Sequence, residues 1–219
     1  MELLEAVRAR KSIRAFLPTP VPKDILAQLL EVAVLSPSSL NTQPWEIVVL
    51  AGEALEELRR TNVRQLSAGA APYPDIPSER PAGVYRERQI ALAKELFRLL
   101  GIAREDREKR AAWDEKQVRF FDAPAVLVIA VDRSTAPRSF FDVGMLSQTI
   151  ALAAQHYGLG TCVQQAGVNY PDLIRRACGL ADSRLVVMAI ALGYPDWDQP
   201  VNTIRTQREL EGVITRRTE

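Results

Sequence analysis

The chain reads as an α/β domain with a few short strands set among long helices, and three observations carry that reading. Two continuous apolar, β-branched runs, A-P-A-V-L-V-I-A-V at 123–131 and L-V-V-M-A-I-A-L-G at 185–193, have the length of buried strands and fall far short of a membrane span. Around them lie segments whose apolar residues recur at helical spacing, above all near 22–35 and 138–157. With 219 residues, 47% hydrophobic and 25% charged, the chain can enclose one substantial core, so a single domain spanning 1–219 is expected.

Residues 2–9 predict a short helix with Leu3, Leu4 and Val7 on one face. It ends at R-K-S-I-R (10–14), and P-T-P-V-P (18–22) follows as a rigid extended connector. The next helix starts near Pro22 and runs to about Leu35, with Ile25, Leu26, Leu29, Leu30, Ala33 and Val34 forming its core face; Pro37 stops it. A polar loop, P-S-S-L-N-T-Q-P-W (37–45), leads to a strand at 46–50 and a charged helix at 53–66. The proline-rich stretch from Ser67 to Pro81 predicts a mobile loop, and two charged helices follow near 84–100 and 103–118. The block from about 67 to 120 thus reads as a lid-like excursion or as a solvent-facing helical hairpin. After the first buried strand, the helix at 138–157 is apolar on more than one face, which suits a central position. G-L-G-T-C-V-Q-Q-A (158–166) predicts a turn and strand, and 170–178 a helix. Beyond the second buried strand, a C-terminal arm from about 194 to 219 is expected, exposed over Tyr194–Pro200 and closing on an apolar patch of Leu210, Val213 and Ile214.

Composition excludes several classes. The 28 basic and 27 acidic side chains nearly cancel, which argues against a general nucleic-acid binder or a polybasic membrane anchor. The amphipathic N-terminus lacks the apolar core of a secretory signal, and two separated cysteines, Cys162 and Cys178, form neither a CxxC pair nor a disulfide framework, so a cytoplasmic setting is expected. One histidine, His156, is too few for a zinc site of N/S ligands, and there is no G-x-S-x-G elbow for a serine triad. At the end of its helix His156 suits packing or contact with the C-terminal dipole. The G-x-G at 158–160 lacks the G-x-G-x-x-G spacing of a dinucleotide fingerprint.

Two stretches exceed what structure alone needs. R-K-S-I-R offers the guanidinium forks of Arg10 and Arg14, the charge of Lys11 and the Ser12 hydroxyl, which suits either a solvated helix end or a phosphate seat. The 37–45 loop collects Ser38, Ser39, Asn41, Thr42 and Gln43 between two prolines and a tryptophan; amides that both donate and accept suit a flat polar ring. A second basic group, Arg205 and Arg208, returns in V-N-T-I-R-T-Q-R (201–208).

R-K-S-I-R, P-S-S-L-N-T-Q-P-W, G-L-G-T-C-V-Q-Q, A-L-G-Y-P (191–195) and an arginine before the last apolar patch together resemble the FMN-dependent nitroreductase family, in its order and spacing. G-L-G-T-C-x-Q and V-N-x-x-R-x-x-R resemble its nitrobenzoate reductase branch. The resemblance implies an α+β sandwich, a mixed and mainly antiparallel sheet flanked by helices, in an intertwined homodimer with two FMN sites. It implies that Arg10, Lys11 and Ser12 lie at the phosphate and ribityl chain, that Arg14 faces the pyrimidine edge, and that Arg205 and Arg208 complete the phosphate seat. Pro37, Ser38, Ser39, Asn41 and Gln43 would reach the ring from the partner chain, and Val163, Gln164, Gln165 and Ala166 would approach it near N5. Some members carry Glu-Gly where this chain has Gln165 and Ala166, a departure that removes one negative charge beside the ring. The implied activity is ping-pong: NADH or NADPH reduces the flavin at N5, and a nitroaromatic, quinone or similar small conjugated acceptor takes the electrons. No side chain is required as acid or base. Two other readings fit the same residues: a flavin storage or breakdown protein of this fold, and an interaction domain without flavin.

Overall fold

The computed structural model describes residues 2–77, 79–208, 213–215 and 217. Helix α1 is Leu3–Ala9, α2 is Lys23–Ala33, strand β1 is Trp45–Ala51, and α3 is Gly52–Ser67. Then come α4, Gly83–Leu99, and α5, Arg107–Val118, followed by β2, Ala125–Asp132, and α6, Ser139–His156. Strand β3 is Gly160–Gln164, α7 is Pro171–Cys178, and β4 is Arg184–Gly193.

The four strands form one antiparallel sheet in the order β1-β2-β4-β3, so the two runs read as buried strands pair with each other at its centre. Period-two geometry divides β2 between two cores. Leu127, Ile129 and Val131 face Leu29 and Ala33 of α2 and Val143, Leu146 and Ile150 of α6. Val126, Val128 and Ala130 face Leu55 and Leu58 of α3, Trp113 of α5 and Ile174 of α7. Each fully buried aliphatic side chain in these layers contributes about 1.5–3 kcal/mol of transfer free energy. The outcome is the helix–sheet–helix sandwich expected. Among the described residues the one parallel pairing is an isolated bridge between Ser12 and Thr161. Among the described residues no helix is long and apolar enough to cross a membrane.

Three expectations are qualified. The stretch read as a mobile loop from Ser67 to Pro81 is anchored at Ala70, Tyr73 and Asp75. The Asp75 carboxylate accepts hydrogen bonds from Val186 N at 2.8 Å and Arg175 Nη1 at 2.5 Å; Tyr73 N donates to the Asn169 carbonyl at 3.0 Å, and the Tyr170 hydroxyl to the Ala70 carbonyl at 3.1 Å. The excursion is neither wholly lid nor wholly solvent-facing, because Trp113 and Val118 of α5 and Leu96 of α4 are buried in the core. The arm is not free at its start. Pro195 bridges Phe16, Asp196 N donates to the Ala15 carbonyl, and Val201, Asn202 and Ile204 are buried, although Trp197 remains 59% exposed. Helix α1 forms as read, and its apolar face lies open in the single chain: Leu3 and Leu4 are 67% and 66% exposed, and only Ala6 is buried. His156 is exposed, edge-on to Tyr157 at the end of α6, which agrees with the helix-terminus reading rather than with core packing. Leu210 lies outside the described residues; Val213 and Ile214 are exposed.

Gly167 illustrates how tightly the turn after β3 is set. A Cβ there would stand 2.1 Å from Phe120 Cε1, and the Gly167 carbonyl accepts a hydrogen bond from the fully buried Asn62 Nδ2 at 3.0 Å. Gly167→Ala should therefore destabilise the protein by about 2 kcal/mol through overpacking, read as a lowered urea midpoint with an unchanged slope.

Candidate functional site

The segment 10–17 is stitched along the edge of β3 and onto the chain leaving β4. Ile13 N donates to the Thr161 carbonyl at 2.9 Å, and Leu17 N to the Tyr194 carbonyl at 2.9 Å. This close approach explains one glycine of the G-L-G motif: a Cβ on Gly160 would lie 2.5 Å from Ile13 Cγ1. Asn202, fully buried, ties the C-terminal segment to the same stretch. Its Nδ2 donates to the carbonyls of Ala15 and Asp196, both at 2.8 Å, while its Oδ1 accepts from Arg14 N at 2.8 Å.

Those ties bring the two basic clusters together around a pocket of about 470 Å³. Arg8, Arg10, Lys11, Arg14, Arg205 and Arg208 line it with Ser12, Gln148 and Thr206, and among the described residues no carboxylate does. Among the described residues none of these cations has a carboxylate within ion-pair distance. Burial, and then the like charge of Arg208, pull the Arg10 guanidinium below its ordinary value; burial and the charge of Arg205 do the same to the Lys11 ammonium. Cations held together against desolvation and mutual repulsion are stabilised by an incoming anion. Arg205 is further oriented by a bond from its Nη1 to the Arg8 carbonyl at 2.9 Å, and Arg208 by bonds to Thr206. Beyond them the seat opens into a larger cleft of about 1180 Å³ between α4 and residues 204–208, where Val84, Ala91 and Leu92 add apolar wall.

The expected ring-contacting groups are placed in two ways. Val163, Gln164, Gln165 and Ala166 lie at the end of β3, next to the seat through the Ser12–Thr161 bridge. Burial pushes the Cys162 thiol up, opposed by the nearby charge of Arg14. Gln164 is 5% exposed, and neither end of its amide has a protein partner among the described residues. Buried amides are ordinarily paired, so this one stands ready for water or a ligand. Gln165 Nε2 instead makes a long bond to the Val187 carbonyl at 3.4 Å.

Pro37, Ser38, Ser39, Asn41 and Gln43 do not line the seat of their own chain. Their loop is built as an outward projection. Leu40, Asn41 and Gln43 have φ of 51°, 56° and 45°, and Leu40 is 92% exposed. Asn41 tolerates this left-handed region better than most residues; Leu40 does not, so the surrounding bonds must hold it there. Ser38 Oγ accepts from Gln43 N at 2.9 Å, and the buried Asp142 of α6 accepts from Ser39 N at 3.1 Å. Asp142→Ala should speed hydrogen exchange at the Ser39 amide about tenfold while leaving the sheet amides unchanged, as checked by exchange mass spectrometry. Around the loop the chain leaves apolar surface uncovered: Leu35 and Phe141 are each 80% exposed, with Leu3, Leu4 and Met145 nearby in α1 and α6. Asn202, Asp142 and Gln148 were not singled out by sequence reasoning; only the N of V-N-x-x-R-x-x-R hinted at the first.

Comparisons with known proteins bear on the family and the fold. The family model described as Nitroreductase family matches residues 7–194. The chain is 35% identical to 4-nitrobenzoate reductase of Pseudomonas putida over 210 residues, covering 95% of this chain and 92% of that protein. It is 36% identical to chloronitrobenzene nitroreductase of Comamonas testosteroni over 218 residues, covering 96% and 95%. Among solved structures, the FMN and NADPH-dependent nitroreductase NfnB from Sphigopyxis sp. strain HMH superposes with a TM-score of 0.95 at 30% identity over the whole of both chains. NfnB from Mycobacterium smegmatis in complex with NADPH does so with a TM-score of 0.92 at 30% identity, again over the whole of both chains.

Proposed function

The chain belongs to the nitroreductase family, and from that premise we propose that it is an FMN-dependent NAD(P)H oxidoreductase reducing nitroaromatic, quinone or similar conjugated acceptors. The observation that carries the proposal furthest is the pocket in which six cations meet, with no carboxylate among the described residues that line it, because a phosphate monoester is the ligand such a seat favours. The remaining residues fit the rest of FMN: a hydroxyl at Ser12, an unpartnered buried amide at Gln164 and an outward loop of amides and hydroxyls. Arg10 and Arg208 would hold the phosphate, with Arg205 beside them, and Ser12 would donate to the ribityl chain. Arg14 would place its charge beside the pyrimidine edge of the ring, where electron density collects on reduction. Val163 to Ala166 would border N5, and Gln165 and Ala166 would leave that border one negative charge poorer than a Glu-Gly pair. When bound, FMN supplies the chemistry, accepting hydride from NADH or NADPH and passing two electrons to the acceptor.

The loop carrying Pro37, Ser38, Ser39, Asn41 and Gln43 would complete the site of a second copy. The exposed Leu3, Leu4, Leu35, Leu40 and Phe141 support a homodimer, since large apolar side chains left in water are costly. Two free cysteines, one buried and one half-buried, accord with a cytoplasmic protein.

The test is an anaerobic absorption spectrum of the purified protein before and after adding NADPH or NADH. A flavin spectrum that bleaches supports the proposal. A protein that takes up no FMN on reconstitution overturns it.

A further inference from the structure

We infer that Lys11 and Asn202 form a positioning clamp that sets the register of the two cationic segments, and that the Lys11 charge serves this clamp rather than the phosphate. The inference rests on the flavin reading above and adds to it a division of labour among the cations.

Lys11 is separated from Asn202 by 191 positions, yet its Nζ donates to the Asn202 carbonyl oxygen. The same ammonium stands over the Trp197 ring, 4.8 Å from its centroid. A carbonyl and an aromatic face are the two neutral surfaces that best accommodate a partly buried cation. Together they draw Lys11 toward the C-terminal segment. Asn202 completes the clamp from the other side. With no exposed surface, its side chain bonds Arg14 N, the Ala15 carbonyl and the Asp196 carbonyl, so every hydrogen on its amide nitrogen is used.

The two residues therefore fix where residues 10–15 lie relative to 196–202, on which Arg205 and Arg208 follow after a few residues. Among the described residues Arg10 and Arg208 have no carboxylate partner, and they lie close enough to repel one another. Arg14 is held by its backbone N on Asn202, so the placement of its guanidinium depends on the clamp. Lys11 is thus a positioning residue, and so is Asn202.

A phosphate ligand and a positioning residue differ in salt dependence. Removing a cation that touches the phosphate weakens FMN binding and also flattens the dependence of log Kd on ionic strength, because one fewer screened charge pair is made. Removing a positioning residue weakens binding at nearly unchanged slope. FMN affinity of the full-length apoprotein is measured by flavin fluorescence across a salt series for wild type, Arg10→Ala, Lys11→Met and Asn202→Ala. Lys11→Met is expected to raise Kd about tenfold, the scale of one charge-assisted hydrogen bond, with the wild-type slope, whereas Arg10→Ala flattens it. Lys11→Met also keeps the stem volume, so it tests the clamp even where Asn202→Ala does not fold. The midpoint potential of bound FMN gives a second readout: Lys11→Met should lower it by loosening Arg14. A Lys11→Met slope as flat as that of Arg10→Ala makes Lys11 a phosphate ligand and overturns the inference. So does a Kd within twofold of wild type. A wild-type chain that binds no FMN instead sinks the flavin reading itself, and this role with it.

Discussion

An Arg10→Glu chain is expected to purify folded but colourless, and to bind added FMN at least a thousandfold more weakly than the parent, roughly 4 kcal/mol. The size follows from two effects acting in the same direction. The substitution removes a charge-assisted hydrogen bond to phosphate of about 1.5–3 kcal/mol, and it places a carboxylate where the anion must sit. Structure suggests that the chain itself will tolerate the change. Arg10 is only partly buried, and burial together with Arg208 already disfavours its charge. A carboxylate there would gain Arg208 as a partner and relieve repulsion among the six cations that line the pocket. The measurement pairs a urea unfolding curve of the apoprotein with an FMN titration. Stability equal to or above that of the parent, together with lost affinity, isolates Arg10 as a ligand. Retained flavin would move the phosphate away from this pocket.

Much of this arrangement could be read from the residues. Both central strands announced themselves by continuous apolar runs, and β2 and β4 begin within two residues of where those runs begin. Helices α2 and α6 followed from apolar spacing, and the end of α2 from Pro37. The two basic clusters were visible as residue types, and their meeting was expected only through the family resemblance, not from spacing. It depends on an asparagine whose partners lie 187 and 188 positions away, and one asparagine in a polar tail carries no periodic signal. The anchoring of Ala70, Tyr73 and Asp75 within the 67–81 stretch was hidden for the same reason. Four prolines there argue for irregular backbone, and irregular backbone was equated with mobility, yet Asp75 bonds Val186 N across 111 positions. Helix α1 shows the opposite failure. Its amphipathic pattern was read correctly, but periodicity says only that a face needs covering and not which chain covers it, and Leu3 and Leu4 remain exposed in the single chain.

That exposed face leads to the second large effect, expected when two defective chains are mixed. The cationic seat and the 37–45 loop belong to one sequence, yet none of Pro37 to Gln43 lines the seat of its own chain. If each site joins the seat of one copy to the loop of the other, a chain with a ruined seat and a chain with a ruined loop should rescue each other. Arg10→Glu supplies the first; Ser39→Trp, whose indole would fill the space before the loop, supplies the second. Each alone should hold almost no FMN. Co-expressed with different affinity tags, they form a mixed dimer in which one site inherits both defects and the other inherits neither. Isolated by both tags, that dimer should bind one FMN per two chains, and a random mixture should recover about a quarter of full occupancy, as two-fold symmetry requires. Flavin per protein, measured by absorbance after tandem purification, decides the point. No rescue in a folded mixed dimer would mean that each seat is completed by its own chain, and the outward loop with its left-handed Leu40 would then need another explanation. Rescue to one FMN per dimer would instead give the uncovered leucines of α1 and the exposed Phe141 of α6 a common cause, because the contact that buries them would also build the site.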